Sequence, residues 1–551
     1  MKIRHSIANI LKSLENTPQT LLSFLGAFTM LIVLRLAIEA GLGLFAAKTF
    51  QALFVEFSHT FLFFLFAFSL FLPLLSFLTR ESTLRTVNTL LFGFLIILTP
   101  PIIDTLLFGQ NGFWSFYEFD GLLGLITRYF TFFGDSPSIG ITSGVRLEVL
   151  LVTLGSIPLI YYKTRSLLRS LYGGILMYSL FFILGTFPSW ITLALESFTS
   201  GILEVTEISV ARLFLAPETI LSQELLDIRS ILGIKMSLWY AVLTLLSVTL
   251  LFWHHRKAHF IALYHNARFP QVFYHGGLIF VGALLAFHFE DLSLPTSHFS
   301  YLAFGLLTCS AVFAWLASVI TNDFYDTAID AQTNSNRPLI TQTVDQGSYR
   351  DYGIIFFLTS LLLAALVSSQ ALLLIFVYQV CAWVYSARPF RLKRFPIIAT
   401  LLAAFASILI LVSGYLAVST EHSLALLPRN LLLYFITSLT LALALKDFKD
   451  MPSDKADQVY TIPVLLGEVW GKRFLGSALF LIFVTSPFIL NAPSLFFLAL
   501  FCGSLGFWGI QNGTPDPKSF FCYHYFSRLL FALVFSYGLL ATLGFYFGFF
   551  S

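Results

Sequence analysis

The chain has 551 residues, of which 57% are hydrophobic and only 11% charged, with a mean hydropathy of +0.83. That much apolar surface exceeds what a water-soluble core encloses, and a net charge of +3 with no basic block interleaved with aromatics excludes a nucleic-acid-binding protein. The expected fold class is an all-α polytopic membrane protein lodged in a lipid bilayer.

Along the chain, "MKIRHSIANILKSLEN" sets Ile3, Ile7, Ile10, Leu11 and Leu14 at helical spacing beside Lys2, Arg4 and Lys12. It reads either as a short helix on the lipid surface or as a solvated arm. The apolar run from about Leu21 outlasts the h-region of a cleavable signal and is expected to be a retained span. Six candidate spans follow in the first half, near 20–47, 50–79, 86–107, 147–162, 171–195 and 237–253. Arg35 and Glu39, four apart in the first of them, form a structural clamp or a pair used in transport or catalysis. The stretch 112–148 carries Glu118, Asp120, Arg128, Asp135, Arg146 and Glu148 among aromatics. It is either an interfacial element that recognises a lipid headgroup or packing. Residues 197–236 are expected to form an amphipathic surface helix pair.

Residues 253–270 form a basic linker with His254, His255, His259 and His265, a metal site or simply an interfacial connection. Nine further spans are expected near 272–289, 301–321, 353–368, 371–386, 396–418, 430–446, 474–490, 493–510 and 528–549. The expected organisation is therefore a six-span membrane domain over 1–252, the linker, and a nine-span domain over 271–551, about 15 spans in all. Cys309, Cys381, Cys502 and Cys522 are far apart with no CxxC pair and read as small core residues.

Thirteen of the fourteen Lys and Arg residues after position 270 fall in alternate loops on one side, and only Arg429 lies opposite. The positive-inside rule makes that side cytoplasmic, with the N-terminus inside and the C-terminus outside a plasma or inner membrane.

The loop after the second of the nine spans begins "TNDFYDTAID". On a continuous helix Asp323, Asp326 and Asp330 spread over about 60° of the circumference, so three carboxylates share one face. In a low-dielectric setting they repel and take up protons unless a cation binds; oxygen-only ligands favour Mg²⁺. "LKDFKDMPSDKAD" repeats the spacing with Asp447, Asp450 and Asp454, each 124 residues after its counterpart and four spans later, which suggests an internal repeat. Two acidic faces across a cavity would hold Mg²⁺ ions and a diphosphate between them. "YSARPFRLKR" adds Arg388, Arg391, Lys393 and Arg394 as cationic donors to that leaving group, or as ordinary inside-loop charges; Arg337 has the same standing.

These stretches resemble a known family. "NDFYDTAIDAQTNSNRP" is similar to the NDxxDxxxD signature of the UbiA superfamily of intramembrane prenyltransferases, "KDFKDMPSDKADQVYTIPVLLG" to its second DxxDxxxD motif, and "YSARPFRLKR" to its YSxxPxRLKR loop. The resemblance covers about residues 268–551 and leaves the first 267 unrecognised. It implies a nine-helix UbiA-like bundle and Mg²⁺-dependent transfer of an isoprenoid chain from a prenyl diphosphate to a hydrophobic acceptor, aromatic or lipid, with release of diphosphate. It also implies roles: metal binding by Asp323, Asp326, Asp330, Asp447, Asp450 and Asp454; diphosphate contacts from Arg337, Arg388, Arg391, Lys393 and Lys446; orientation by Asn322; and a cation-facing ring at Tyr385. Alternatives are phosphoribosyl transfer to a polyprenyl phosphate on the same metal site, and a polytopic transporter or flippase. Oligomeric state is not legible here.

Overall fold

The computed structural model describes residues 12–43, 49–108, 117–134, 140–225, 227–456, 459–516 and 518–546. The described residues are nearly all helical and fall into two compact units, residues 1–218 with 224–255 and residues 219–223 with 256–551. Thirteen described helices are long and apolar enough to cross a membrane; Arg429–Leu443 and Ala532–Ala541 are shorter apolar pieces. The chain is a polytopic, all-α integral membrane protein.

In the first unit the long helix Phe50–Thr79 packs against Ile228–His255, and Ser143–Thr164 against Leu167–Gly185. The core is aromatic: Phe28 meets Phe61 and Phe68 edge-on, and Tyr240 stacks on Phe187. Two expectations are corrected here. The run 171–195 is two helices, because Thr186 (φ −117°, ψ 19°) leaves helical geometry just ahead of Pro188. Residues 197–236 are not a helix pair. After the helix Glu207–Leu215 the chain turns into a hairpin, Glu218–Ile220 paired with Gln223–Leu225, which the β-favouring Thr219 and Ile220 support.

In the second unit His298–Tyr325 packs on Gln346–Val367, and Phe269–Phe289 packs on Ile398–Val418. Helix Gln346–Val367 starts seven residues before the apolar run because Asp345 caps it, its Oδ1 accepting from the Ser348 N–H at 2.9 Å. Ser368 alone separates that helix from Ser369–Ser386, in an extended conformation (φ −165°, ψ 157°) with its hydroxyl accepting from the Ala371 N–H.

Helices Phe269–Phe289 and Ile398–Val418 touch backbone to backbone through two glycines. A Cβ on Gly282 would stand 1.9 Å from the Leu411 carbonyl oxygen, and one on Gly414 would stand 2.1 Å from that of Ile279. Lipid gives helices no hydrophobic drive to associate, so such close approach supplies the dispersion contact instead. Gly282→Ala and Gly414→Ala are each expected to destabilise the unit by about 1–3 kcal/mol, with less than additive loss in the double variant. Gly305→Ala, which meets open space, should leave the thermal midpoint in detergent unchanged.

Candidate functional site

The second unit encloses a cavity of about 1200 Å³. Its walls include many apolar side chains, Leu278, Leu285, Phe435, Leu439 and Phe483 among them, and also the polar Asn322, Asp326, Asp330, Arg337, Lys393, Asp447 and Asp454. Carboxylates from two segments 124 residues apart thus border one space. Tyr385 and Ser386 line it as well.

The first acidic segment is not one continuous helix, contrary to the sequence expectation. Helix His298–Tyr325 ends at Asp326 (φ −107°, ψ 13°), and a short helix, Thr327–Thr333, resumes after it. The break sends the three aspartates to different surroundings. Asp323 is 2% exposed and is not part of the cavity wall. Its Oδ2 accepts from Asn266 Nδ2 at 2.6 Å and Tyr349 O–H at 2.7 Å, and its Oδ1 from Arg268 Nη2 at 3.0 Å. Arg337 Nη1 lies 3.7 Å from the same oxygen and donates to Asn266 Oδ1 at 2.6 Å.

Asp326 faces the cavity and is paired with Lys393 and, at 3.2 Å, with Arg391 Nη2. The loop carrying these cations leaves the helix Ser369–Ser386 through a cis Arg388–Pro389 bond. Arg388 itself is exposed and lies outside the cavity lining. Burial pulls the Lys393 ammonium below its usual range in spite of Asp326. Asn322, next to the network, has its Oδ1 held by the Ser386 hydroxyl at 3.1 Å.

Asp330 accepts from Asn334 Nδ2 at 2.8 Å through Oδ1, while its Oδ2 is buried with no hydrogen-bond partner among the described residues. Burial pushes this carboxyl above its usual range, against the pull of Asn334 and Arg337. Arg337 Nε and Arg391 Nε are likewise buried without a hydrogen bond. The open acceptor of Asp330 and the open donor of Arg337, both in the wall of one cavity, complement a cation and an anion bound together.

In the second acidic segment Asp447 and Asp454 lie on the helix Asp447–Ala456 and border the cavity. The side chains of Lys446 and Asp450 fall outside the described residues. Among the described residues no three His, Cys, Asp or Glu side chains are gathered closely enough to hold a metal by themselves. Mg²⁺ commonly takes one or two carboxylates and fills its remaining positions with water and substrate phosphate, so oxygen donors from both segments, with Asp330 Oδ2 open, fit that ion.

Sequence reading missed Asn266, Arg268 and Tyr349, and also a polar cluster in the apolar part of the cavity. His275 stacks on Trp315 with ring centroids 4.8 Å apart. Its Nδ1 lies 2.7 Å from the Gln271 carbonyl, which only accepts, so Nδ1 carries the proton and Nε2 accepts from Tyr378 O–H at 3.0 Å. His275 and Tyr378 sit singly in largely apolar runs, with no spacing pattern to flag them.

Asp323 and Asp326 should separate on substitution. Asp323→Ala strands Arg268 and Arg337 around a buried void and is expected to cost about 3–5 kcal/mol. Asp326→Ala releases its cations toward the cavity, and its thermal midpoint in detergent should stay well above that of Asp323→Ala.

Comparison with known proteins bears on the same part of the chain. Residues 278–526 match the model of the UbiA prenyltransferase family. A digeranylgeranylglyceryl phosphate synthase of Methanothrix thermoacetophila is 26% identical over 161 residues, 29% of this chain and 57% of that protein. One of Natronomonas pharaonis is 26% identical over 227 residues, covering 41% of this chain and 74% of its own length. The chain thus spans less than two thirds of the first of these relatives. The solved structure of a UbiA homolog from Archaeoglobus fulgidus bound to GPP and Mg²⁺ aligns with 51% of this chain and 99% of its own, at 19% identity and a TM-score of 0.39. It is this segment, residues 278–526, whose sequence is similar to the UbiA prenyltransferase family.

Proposed function

We propose that the second unit is a Mg²⁺-dependent intramembrane prenyltransferase that moves an isoprenoid chain from a prenyl diphosphate to a hydrophobic acceptor, aromatic or lipid. The observation that carries this reading is the single cavity, bordered by carboxylates of both acidic segments and by Arg337 and Lys393, that continues between apolar helices. A prenyl diphosphate has that same division, an anionic diphosphate head on a hydrocarbon tail.

In the reaction the C–O bond of the allylic diphosphate breaks with its electron pair leaving on diphosphate. A nucleophilic atom of the acceptor bonds to the carbon and gives up its proton to the departing diphosphate. Asp326, Asp330, Asp447 and Asp454, with Asp450, are the residues to hold the metal, and Asp323 acts on them by fixing Arg337 and the helix end. When bound, Mg²⁺ neutralises charge developing on the departing diphosphate. Arg337, Lys393 and Arg391 add fixed positive charge at the same place, where exclusion of water makes it count for more. Asn322, held by Ser386, orients a polar group of donor or acceptor. Tyr385, which lines the cavity, supplies a π face to stabilise the allylic cation. The distribution of Lys and Arg supports a cytoplasmic orientation for the acidic segments.

The test is diphosphate release and lipid product formation by purified protein given prenyl diphosphates of several lengths and a panel of acceptors. Release should require Mg²⁺ and stop with EDTA. It should fall at least about a hundredfold in Asp326→Ala and in Asp454→Ala, as loss of one preorganised charge-stabilising group does elsewhere. Release that persists without divalent metal, or in both variants, refutes the reading.

A further inference from the structure

The first unit holds a cavity of its own, about 520 Å³, which the prenyl-transfer reading does not use. Its walls are largely apolar and rich in phenylalanine, Phe63, Phe64, Phe71 and Phe181 among them, with several ionisable side chains carried by helices long and apolar enough to cross a membrane. Most of those have partners. Arg35 binds Glu39 at 3.1 Å and the Ile97 carbonyl at 2.7 Å, with its guanidinium over the Phe64 ring. Asp104 accepts from Thr142 Oγ1 at 2.6 Å and the Gly144 N–H at 2.7 Å. His59 meets the Tyr117 hydroxyl at 2.6 Å.

Two carboxyl groups on the wall differ. Glu148, only 7% exposed, and Glu56 make no hydrogen bond to any described residue. A polar group this deeply buried is costly unless a donor reaches it, and an ionisable one inside a membrane helix more so. The Arg35–Glu39 pair explains Arg35 but leaves these two over.

We propose that this cavity is a second ligand site, for a neutral long-chain amphiphile that ends in a hydroxyl group, with the hydroxyl bonded to Glu148. The size lies in the range of small-molecule sites. The choice of head group follows from the surroundings. Arg35 acts electrostatically on both Glu148 and Glu56, and Glu39 and Arg229 act on Glu56, so positive charge already stands beside these carboxyl groups and a cationic head would have to compete with it. An anionic head would meet the carboxylates. A hydroxyl donates to a carboxylate and accepts from a carboxylic acid, so it serves Glu148 in either state and brings no charge into the bilayer. The phenylalanine walls take the hydrocarbon.

The experiment uses the full-length protein in detergent and a photoreactive long-chain alcohol carrying a diazirine, with the matching primary amine and the matching hydrocarbon as comparison probes, and cross-links located by peptide mass spectrometry. The alcohol should label peptides of the first-unit cavity, and the hydrocarbon and the amine should label them far less. Glu148→Leu should cut alcohol labelling about tenfold, the loss of one charge-assisted hydrogen bond. Exposed Glu204, changed to Gln, should leave labelling unchanged. Labelling in Asp326→Ala should match the parent, which separates this site from the transferase reading. Absence of alcohol labelling, stronger labelling by the amine, or undiminished labelling in a folded Glu148→Leu protein each overturns the proposal.

Discussion

A carboxylate taken out of water has to find positive charge or hydrogen-bond donors nearby, and the organisation of the second unit follows from how its aspartates do so. Asp323 is surrounded by Asn266, Tyr349, Arg268 and Arg337. Asp326 is held by two cations from a loop 65 and 67 residues away. Asp330 has one oxygen bonded and one open. The gradient runs from complete internal satisfaction to an acceptor available to something else. It crosses seven residues of sequence, and the break at Asp326 is what permits it.

Much of this was legible in the sequence because the signals were periodic. Spans announce themselves as long apolar runs, and the doubled i, i+3, i+7 aspartates marked a candidate site. The division of labour among those aspartates was not legible. Helical spacing placed all three on one face, and that geometry fails once the helix stops at Asp326, which a local pattern with no Pro or Gly at the break does not reveal.

Partners drawn from distant segments were the other blind spot. Asn266 and Arg268 lay in what read as a basic linker. Lys235, 1% exposed and bonded to Glu218 at 2.6 Å and to the Leu213 carbonyl at 2.8 Å, lay in what read as a surface helix. In both cases the residue's partners come from other elements of the fold, so composition in a window around it says little. The hairpin after Leu215 was lost for a similar reason: three-residue strands are too short to show alternation.

The one-residue corner at Ser368 makes the helices on either side of it a pair of calipers. Tyr349 stands nineteen residues before the corner and Ser386 eighteen after it, arms of about 28 and 27 Å at helical rise. The two tips close on neighbouring residues of a third helix, Tyr349 on Asp323 and Ser386 on Asn322. Lengthening either arm by one residue would swing its tip through 100° and push it 1.5 Å along, so the jaws would miss. The length of this helical hairpin is therefore gauged against the aspartate segment, and evolution can lengthen the turns elsewhere in the unit far more freely than these two arms.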